Sequence, residues 1–390
     1  MSDSHLGYFR FNITNNQGVN QRMMDFHDAF LQAVDLAIEA KPNFILHSGD
    51  IVDSANPPNR SRNVLRHSLR KISKAKIPMV VLSGTHDVPK TRRDSHLFEL
   101  FNYPNIHMIS EPDKVSLDIE IKAESSDKVD RVFIQKVNVF CVPYSTNFYE
   151  MKAWFDDTIA EPIDDSAYNI LMLHCDIFGI AKLEHGYNVL AMPEDVADKY
   201  DYVALGHFHT STIWKGYKNV MFAGAMERKN FDEVGESRYI HQVIMGTKDG
   251  EPVMKVKGVS LKIRDMAKIV VDLSQVVDLD TAYDAIRKQI AVDIMAKEAG
   301  AVIQVVLRCN YDLYRSLNLN YIKEMFPNAL YVESKRESLE LKQEESPVKL
   351  DASSNIIEEW KKMVNSLDEP KEEKKWLWQT GKEKLEEVMS

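Results

Sequence analysis

Six side chains of metal-binding type stand in a fixed order along this chain: Asp3 and His5, then Asp50, then His174, then His207 and His209. Each belongs to a short pattern. Asp3 and His5 form "DSH", Asp50 closes "SGD", a "SGTHD" occupies 83–87, His174 ends "NILMLH", and His207 and His209 form "GHFH". Singly these are weak signals, because an isolated histidine is more often a satisfied core or surface residue than a ligand. The set is stronger, since imidazoles mixed with carboxylates suit manganese, iron or zinc. A carboxylate with two oxygens, such as Asp50, can bridge two ions about 3.5–4 Å apart. Such a pair activates a water, holds phosphate oxygens and stabilises a leaving alkoxide, so phosphoesters are cleaved with no covalent enzyme intermediate.

Ligands this far apart in sequence need elements that end in one place. Residues 22–40 put Met23, Phe26, Phe30, Val34 and Ile38 at helical spacing. Short apolar runs ending in polar residues follow: "FILHSGD" (44–50), "PMVVLSGTHD" (78–87), "NILMLHC" (169–175), "YVALGHFH" (202–209) and "NVMFAGA" (219–225). These read as buried strands whose C-terminal ends deliver side chains to a shared edge. Residues 106–145 read as a β-rich meander. The predicted class is α/β, a two-sheet sandwich flanked by helices over 1–255. A small α/β unit is expected over 256–335, a charged linker interrupted by Pro347 over 336–352, and two amphipathic helices over 353–390. Ile356, Trp360 and Val364 line the first of those helices, and Trp376 and Leu377 the second. A free pair of such helices would expose too much apolar surface, so it needs either a partner or the chain's own body.

Composition narrows the setting. The 390 residues are 44% hydrophobic and 28% charged, as in ordinary globular proteins. No apolar run approaches the roughly 18–20 residues of a membrane span, and polar Asn12 to Arg22 directly follow the opening motif where a signal peptide would continue. Three widely spaced cysteines, Cys141, Cys175 and Cys309, imply a reducing, cytoplasmic compartment without disulfides. The net charge of -10 argues against nonspecific nucleic-acid binding, yet residues 60–93 hold ten Lys or Arg against one acid, Asp87. That stretch, with Arg60, Arg62, Arg66, Arg70, Arg92 and Arg93, reads as a phosphate-neutralising surface or as a solvated helix face.

The order D-x-H, GD, GxHD, H, GHxH resembles the calcineurin-like metallophosphoesterase superfamily. The stretches "DSHLGYFRF", "NQRMMDFHDAF", "HSGDIVDSANPP" and "AGAMERKNFDEVGESRYI" narrow the likeness to the nuclease subunit of the double-strand-break repair complex, SbcD-type in bacteria. The likeness is specific from residue 3 to about 250 and looser beyond. It implies one metal among Asp3, His5, Asp50 and His209, and a second among Asp50, Thr85, His174 and His207. His86 would protonate the leaving 3′-oxygen, with Asp87 helping to orient it. Thr85 departs from the family's Asn, and its hydroxyl is a shorter, poorer ligand, so the second site is expected to bind more weakly or to be degenerate.

The resemblance further implies a manganese-dependent DNA exonuclease and endonuclease with two divalent ions. It would be a homodimer paired through the helix carrying Arg60 to Ile72 and a short helix near 94–102. DNA would run across both sites, and the C-terminal helices would bind a coiled-coil SMC-like ATPase. The rival expectations are a phosphodiesterase of small substrates and a DNA-bridging scaffold with a weakened metal site. A cytoplasmic, nucleoid-associated protein of prokaryotic or viral source is expected. In the family an apolar strand precedes the first Asp, so a longer reading frame upstream of Met1 is expected as well.

Overall fold

The computed structural model describes residues 1–91, 95–123, 131–178, 189–248, 251–293, 299–338, 360–361, 364–365, 374–375 and 378–382. The first elements are α1 (Gln21–Ala40), β1 (Ile45–His47), α2 (Asn59–Lys74), β2 (Met79–Leu82), β3 (Ile106–Ile109), β4 (Asp113–Ala123), β5 (Arg131–Val142), α3 (Phe148–Ala160) and β6 (Tyr168–His174). Then come β7 (Asp176–Ile177), β8 (Val189–Leu190), α4 (Asp195–Lys199), β9 (Tyr202–Gly206), β10 (Thr212–Trp214), β11 (Tyr217–Phe222), β12 (Tyr239–Lys248) and β13 (Glu251–Ser260). The last are β14 (Met266–Asp272), α5 (Leu279–Asp293), β15 (Val302–Arg308), α6 (Tyr311–Ser316), α7 (Leu319–Glu324) and β16 (Tyr331–Glu337).

Strands β1, β2 and β3 form a parallel sheet. A second sheet has the order β10-β11-β9-β6-β5-β4, parallel in its middle and antiparallel at both edges. The two sheets face each other. Val80, Leu82 and Ile109 from the first meet Val139, Cys141, Ile170, Met172, Ala204 and Met221 from the second. The residues in between point outward, as the two-residue period of a strand requires. Ile45, Met79 and Val81 pack under Phe30 and Val34 of α1 and Leu65, Leu69 and Ile72 of α2. Phe140, Leu171, Leu173, Val203, Leu205 and Phe222 pack under Met151 and Phe155 of α3 and Val196 of α4. Strands buried on both faces are continuously apolar, which is why the runs were legible as strands. The expected two-sheet sandwich flanked by helices is therefore present. The hairpin β12–β13, with two strands of ten residues each, is an addition, since residues 239–260 carried no sequence assignment.

The small parallel sheet β14-β15-β16 has its own apolar cluster under α5, α6 and α7, centred on Ile269, Ile286, Val305, Leu307 and Ile322. It begins after Ser260 rather than at 256, because β13 pairs with β12 to its last residue. At its other end β16 runs through Glu337. The chain divides into compact units Met1–Glu337 and Ser338–Ser390. Of the second unit's predicted contact residues, Val364 is buried and Trp360 half-buried, while Ile356, Trp376 and Leu377 lie outside the described residues.

The apolar face of α2 is spent on the chain's own core through Leu65, Leu69 and Ile72, and Leu97, Phe98 and Phe101 are buried in that core too. The faces expected to pair two subunits are thus largely used internally. Arg60, Arg66 and Arg70 remain exposed and Arg62 is half-exposed, whereas Arg92 and Arg93 lie outside the described residues.

Between α1 and α2, His27 places its Nε2 2.9 Å from Ser61 Oγ. Burial, and secondarily Arg60, lowers the His27 pKa from 6.5 to about 4. The unfolded chain therefore binds a proton between those values that the fold refuses, and stability contributed by neutral His27 is full above 6.5 and lost as pH falls toward 4. The urea midpoint is expected to drop from pH 7.5 to pH 5.5 by more in wild type than in His27→Gln. Equal drops would remove His27 as a cause.

Candidate metal centre

The C-terminal ends of β1, β2, β6 and β9 open at one edge, and each delivers a loop with a candidate ligand. The segment 1–6 is not a regular strand, but it runs beside the chain that follows β1. Ser48 N–H donates to Met1 O at 3.0 Å, Asp3 N–H to Gly49 O at 3.0 Å, His5 N–H to Asp50 O at 3.0 Å and Leu6 N–H to Ile51 O at 3.0 Å. That ladder brings Asp3 and His5 to Asp50 without an element of their own. Four candidate ligands have left-handed backbones: Asp3 (φ 49°), His5 (φ 44°), Asp50 (φ 52°) and His207 (φ 90°). Such conformations in non-glycine residues cost about 1–3 kcal/mol each and persist where the surroundings over-determine them, as at functional sites. The neighbouring glycines are forced by space. A Cβ on Gly49 would lie 2.2 Å from His174 Nδ1, and one on Gly206 1.9 Å from Ser48 O.

Seven of the predicted residues converge. Asp3, His5 and His209 bring ligand atoms within 4.8 Å of one another, and so do Asp50, His174 and His207. Asp50 links the groups: its Oδ2 lies 3.8 Å from His5 Nε2 and 3.3 Å from His174 Nε2, while Oδ1 accepts from His86 N–H at 2.7 Å. Thr85 Oγ1 stands 3.2 Å from His207 Nδ1, so the threonine hydroxyl does reach the second group. The floor is closed, with Asp3, His5, Asp50 and His174 buried. The mouth is open, and His86 is 37% exposed there. Burial opposes ionisation of Asp50, yet His174, His5 and His86 together hold its carboxyl well below the usual range. Burial likewise opposes protonation of His174, but Asp50 pushes it up to about 9.

Asp87 has a different task from the expected one. Its carboxylate accepts from the N–H groups of Gly84 (2.8 Å), Val52 (3.0 Å) and Ile51 (3.3 Å), which pins the loops after β1 and β2 together. Burial, and then Asp50, raises its pKa to about 7.

The outer nitrogens of His174, His209, His86 and His207 each face an acceptor, which fixes the hydrogen there. His174 Nδ1 lies 2.7 Å from Ser48 O, His209 Nδ1 3.0 Å from Glu233 Oε1, and His86 Nδ1 2.8 Å from Asp53 O. Carbonyl and carboxylate oxygens only accept, so these Nδ1 atoms carry hydrogen, and whenever the ring is neutral its Nε2 atom presents a lone pair. His207 is turned the other way, with Nε2 3.4 Å from Asp176 Oδ2 and Nδ1 facing inward. His174 Nε2 is buried with no hydrogen-bond partner among the described residues. A buried lone pair 3.3 Å from a carboxylate oxygen is satisfied by a proton or by a metal ion between them. The donor set and these unpaired atoms fit divalent cations.

Sequence reasoning missed the supporting residues Asp53, Asp176, Lys229, Glu233 and Arg238. Arg238 pairs with the Glu233 that holds His209. Asp53, Lys229, Glu233 and Arg238 lie within the two stretches already singled out, "HSGDIVDSANPP" and "AGAMERKNFDEVGESRYI", but no spacing rule assigns such partners.

Residues 1–211 match the family model described as calcineurin-like phosphoesterase, more than half of the 390 residues. The chain belongs to that family. Among curated proteins, this phosphoesterase is similar to the DNA double-strand break repair protein Mre11 of Sulfurisphaera tokodaii, 24% identical over 236 residues, covering 60% of this chain and 54% of that one. The protein of the same name from Methanococcus maripaludis is 26% identical over 241 residues, covering 60% and 58%. The chain spans little more than half the length of these relatives. The solved calcineurin-like phosphoesterase YfkN from Bacillus subtilis aligns with a TM-score of 0.37 and 12% identity, over 75% of this chain and 95% of that one, too distant to carry an argument.

Proposed function

We propose that this phosphoesterase is a manganese-dependent DNA nuclease of double-strand-break repair, acting on duplex ends and on single strands. The observation that carries the reading is the pair of ligand groups lying on either side of Asp50, whose Oδ2 faces His5 Nε2 and the buried His174 Nε2. DNA as substrate is supported by the likeness to DNA double-strand break repair proteins. Asp3, His5, Asp50 and His209 would hold one ion, and Asp50, Thr85, His174 and His207 the other. Bound there, divalent ions supply Lewis acidity that polarises the phosphate and lowers the pKa of a water.

His86 lies beside both groups and forms a third cluster with His5 and Asp53, their ligand atoms within 4.8 Å of one another. Its Nδ1–H is taken by Asp53 O, so Nε2 is the end left to protonate a leaving 3′-oxygen. The exposed Arg60 and Arg66 with half-exposed Arg62 offer a basic path for phosphates on an otherwise acidic chain. A homodimer and a coiled-coil ATPase bound by the C-terminal helices complete the reading, from the family likeness. No helix among the described residues is long and apolar enough to cross a membrane.

The test compares linear duplex DNA, single-stranded DNA and bis(p-nitrophenyl) phosphate with manganese or with a chelator. Manganese-dependent DNA cleavage, abolished by the chelator, is expected. Turnover of the small diester with DNA left intact would assign a small-substrate phosphodiesterase instead. DNA binding without any cleavage would assign a scaffold.

A further inference from the structure

We propose that Asp53 is a positioning residue that selects the tautomer of His5 able to hold a metal ion, against an opposing pull from Lys229. The inference rests on the metal-centre reading above and extends it to Lys229 and Asp53, the latter also grouped with His5 and His86 by ligand atoms within 4.8 Å of one another. Asp53 Oδ1 lies 3.3 Å from His5 Nδ1 and 3.1 Å from Lys229 Nζ. The Lys229 ammonium lies 3.4 Å from the same His5 nitrogen. These neighbours make opposite demands. The carboxylate only accepts, so it favours hydrogen on Nδ1 and a lone pair on Nε2. The ammonium only donates, so it favours a lone pair on Nδ1 and hydrogen on Nε2.

The other side of His5 makes the choice matter. Its Nε2 is 3.1 Å from His209 Nε2, which is an acceptor because Glu233 takes the hydrogen on His209 Nδ1. With hydrogen on Nε2, His5 donates to His209, the two rings satisfy each other and no lone pair is left for a cation. With hydrogen on Nδ1, two lone pairs converge beside Asp3 and Asp50, an arrangement that a cation relieves. Asp53 is built to win this contest. Its N–H donates to Leu6 O at 3.1 Å, tying it to the segment that carries His5. Lys229 is shared among partners: besides its 3.4 Å approach to His5, its ammonium pairs with Asp53 itself and sits 5.3 Å from the Tyr8 ring centroid, and Tyr8 Oη donates to Lys229 O at 2.6 Å. Both partners are largely shielded, Lys229 16% and Asp53 24% exposed, so water does not screen the competition away.

The experiment measures manganese affinity and stoichiometry by calorimetry and by electron paramagnetic resonance. It uses the full chain as wild type, Asp53→Ala, Asp53→Asn, and the double variant Asp53→Ala/Lys229→Met, whose methionine keeps the aliphatic stem over Tyr8. Asp53→Ala is expected to weaken manganese binding by about 10–100-fold, the usual loss on removing a partner that orients a ligating histidine. Asp53→Asn should lose less, and the double variant should regain at least half of the loss on a logarithmic scale. Nitrogen-15 spectra of the metal-free chain should show the His5 hydrogen on Nδ1 in wild type and on Nε2 in Asp53→Ala. A residue that merely braced the loop would not be rescued by removing a second side chain.

Wild-type affinity in a folded Asp53→Ala, or a double variant no tighter than the single one, would overturn the inference and leave the nuclease reading standing. If Asp53→Ala does not fold, Asp53→Asn with unchanged affinity has the same force. Wild type that binds manganese but does not cut DNA defeats the nuclease reading while the inference still holds. Wild type that binds no divalent ion defeats both.

Discussion

Asp50→Asn is expected to lose both ions of the proposed metal centre together, with phosphodiester hydrolysis falling by at least ~10³-fold, since even one preorganised contact to developing charge is worth about 10²–10³. The geometry sets this expectation. Asp50 Oδ2 lies close to both His5 Nε2 (3.8 Å) and His174 Nε2 (3.3 Å). Asparagine keeps an acceptor for His86 N–H but turns a full negative charge into an amide dipole, and one end of that amide is a donor facing imidazole lone pairs. In the metal-free chain the same change removes the anion that holds the His174 pKa up to about 9. Manganese titration monitored by electron paramagnetic resonance checks the outcome. Two ions bound to Asp50→Asn with wild-type affinity would mean that the groups are independent and that Asp50 does not link them.

His86→Ala is expected to slow DNA cleavage by about 10²–10⁴-fold, the range for a positioned general acid, while manganese binding stays within twofold. His86 Nδ1 is tied to the Asp53 carbonyl at 2.8 Å and its ring stands 4.8 Å from that of His5, so although it clusters with His5 and Asp53 it is outside the two groups proposed to hold the ions. The leaving group provides the sharper control. A deoxyribose 3′-oxygen needs a proton as the bond breaks, whereas p-nitrophenolate departs without one. The variant should therefore lose far more rate on DNA than on bis(p-nitrophenyl) phosphate. Equal losses on both substrates would make His86 a substrate-binding group, and a normal rate on DNA would remove it from the reaction.

Much of the architecture could be read before any coordinates. "NILMLH", "YVALG" and "PMVVL" are apolar without alternation because their strands are covered on both faces, by the opposite sheet and by helices. The polar residue ending each run then has to lie at the sheet edge, which is why His174, Asp50 and His207 could be assigned together. The hairpin β12–β13 escaped notice for the opposite reason. Its residues, such as "HQVIMG" and "MKVKGV", mix half-buried with exposed positions, so no run stands out. The apolar stripe of α2 is ambiguous in a similar way: it looks the same whether it meets a second subunit or the chain's own core, and Leu65, Leu69 and Ile72 meet the core.

By itself the sequence determined the family, the donor types and the order in which they arrive, because metal chemistry restricts which side chains can ligate and strands must end where those side chains are needed. Tertiary structure alone decided how the donors are aimed. Which nitrogen of an imidazole faces the centre depends on acceptors such as Ser48 O, Asp53 and Glu233, which are brought there from other loops. The same holds for Asp87, which from sequence looked like a partner for His86 and in the fold bonds to three backbone N–H groups. Hydrogen-bond direction acts over about 3 Å between residues distant in the chain, and no spacing along a sequence encodes it.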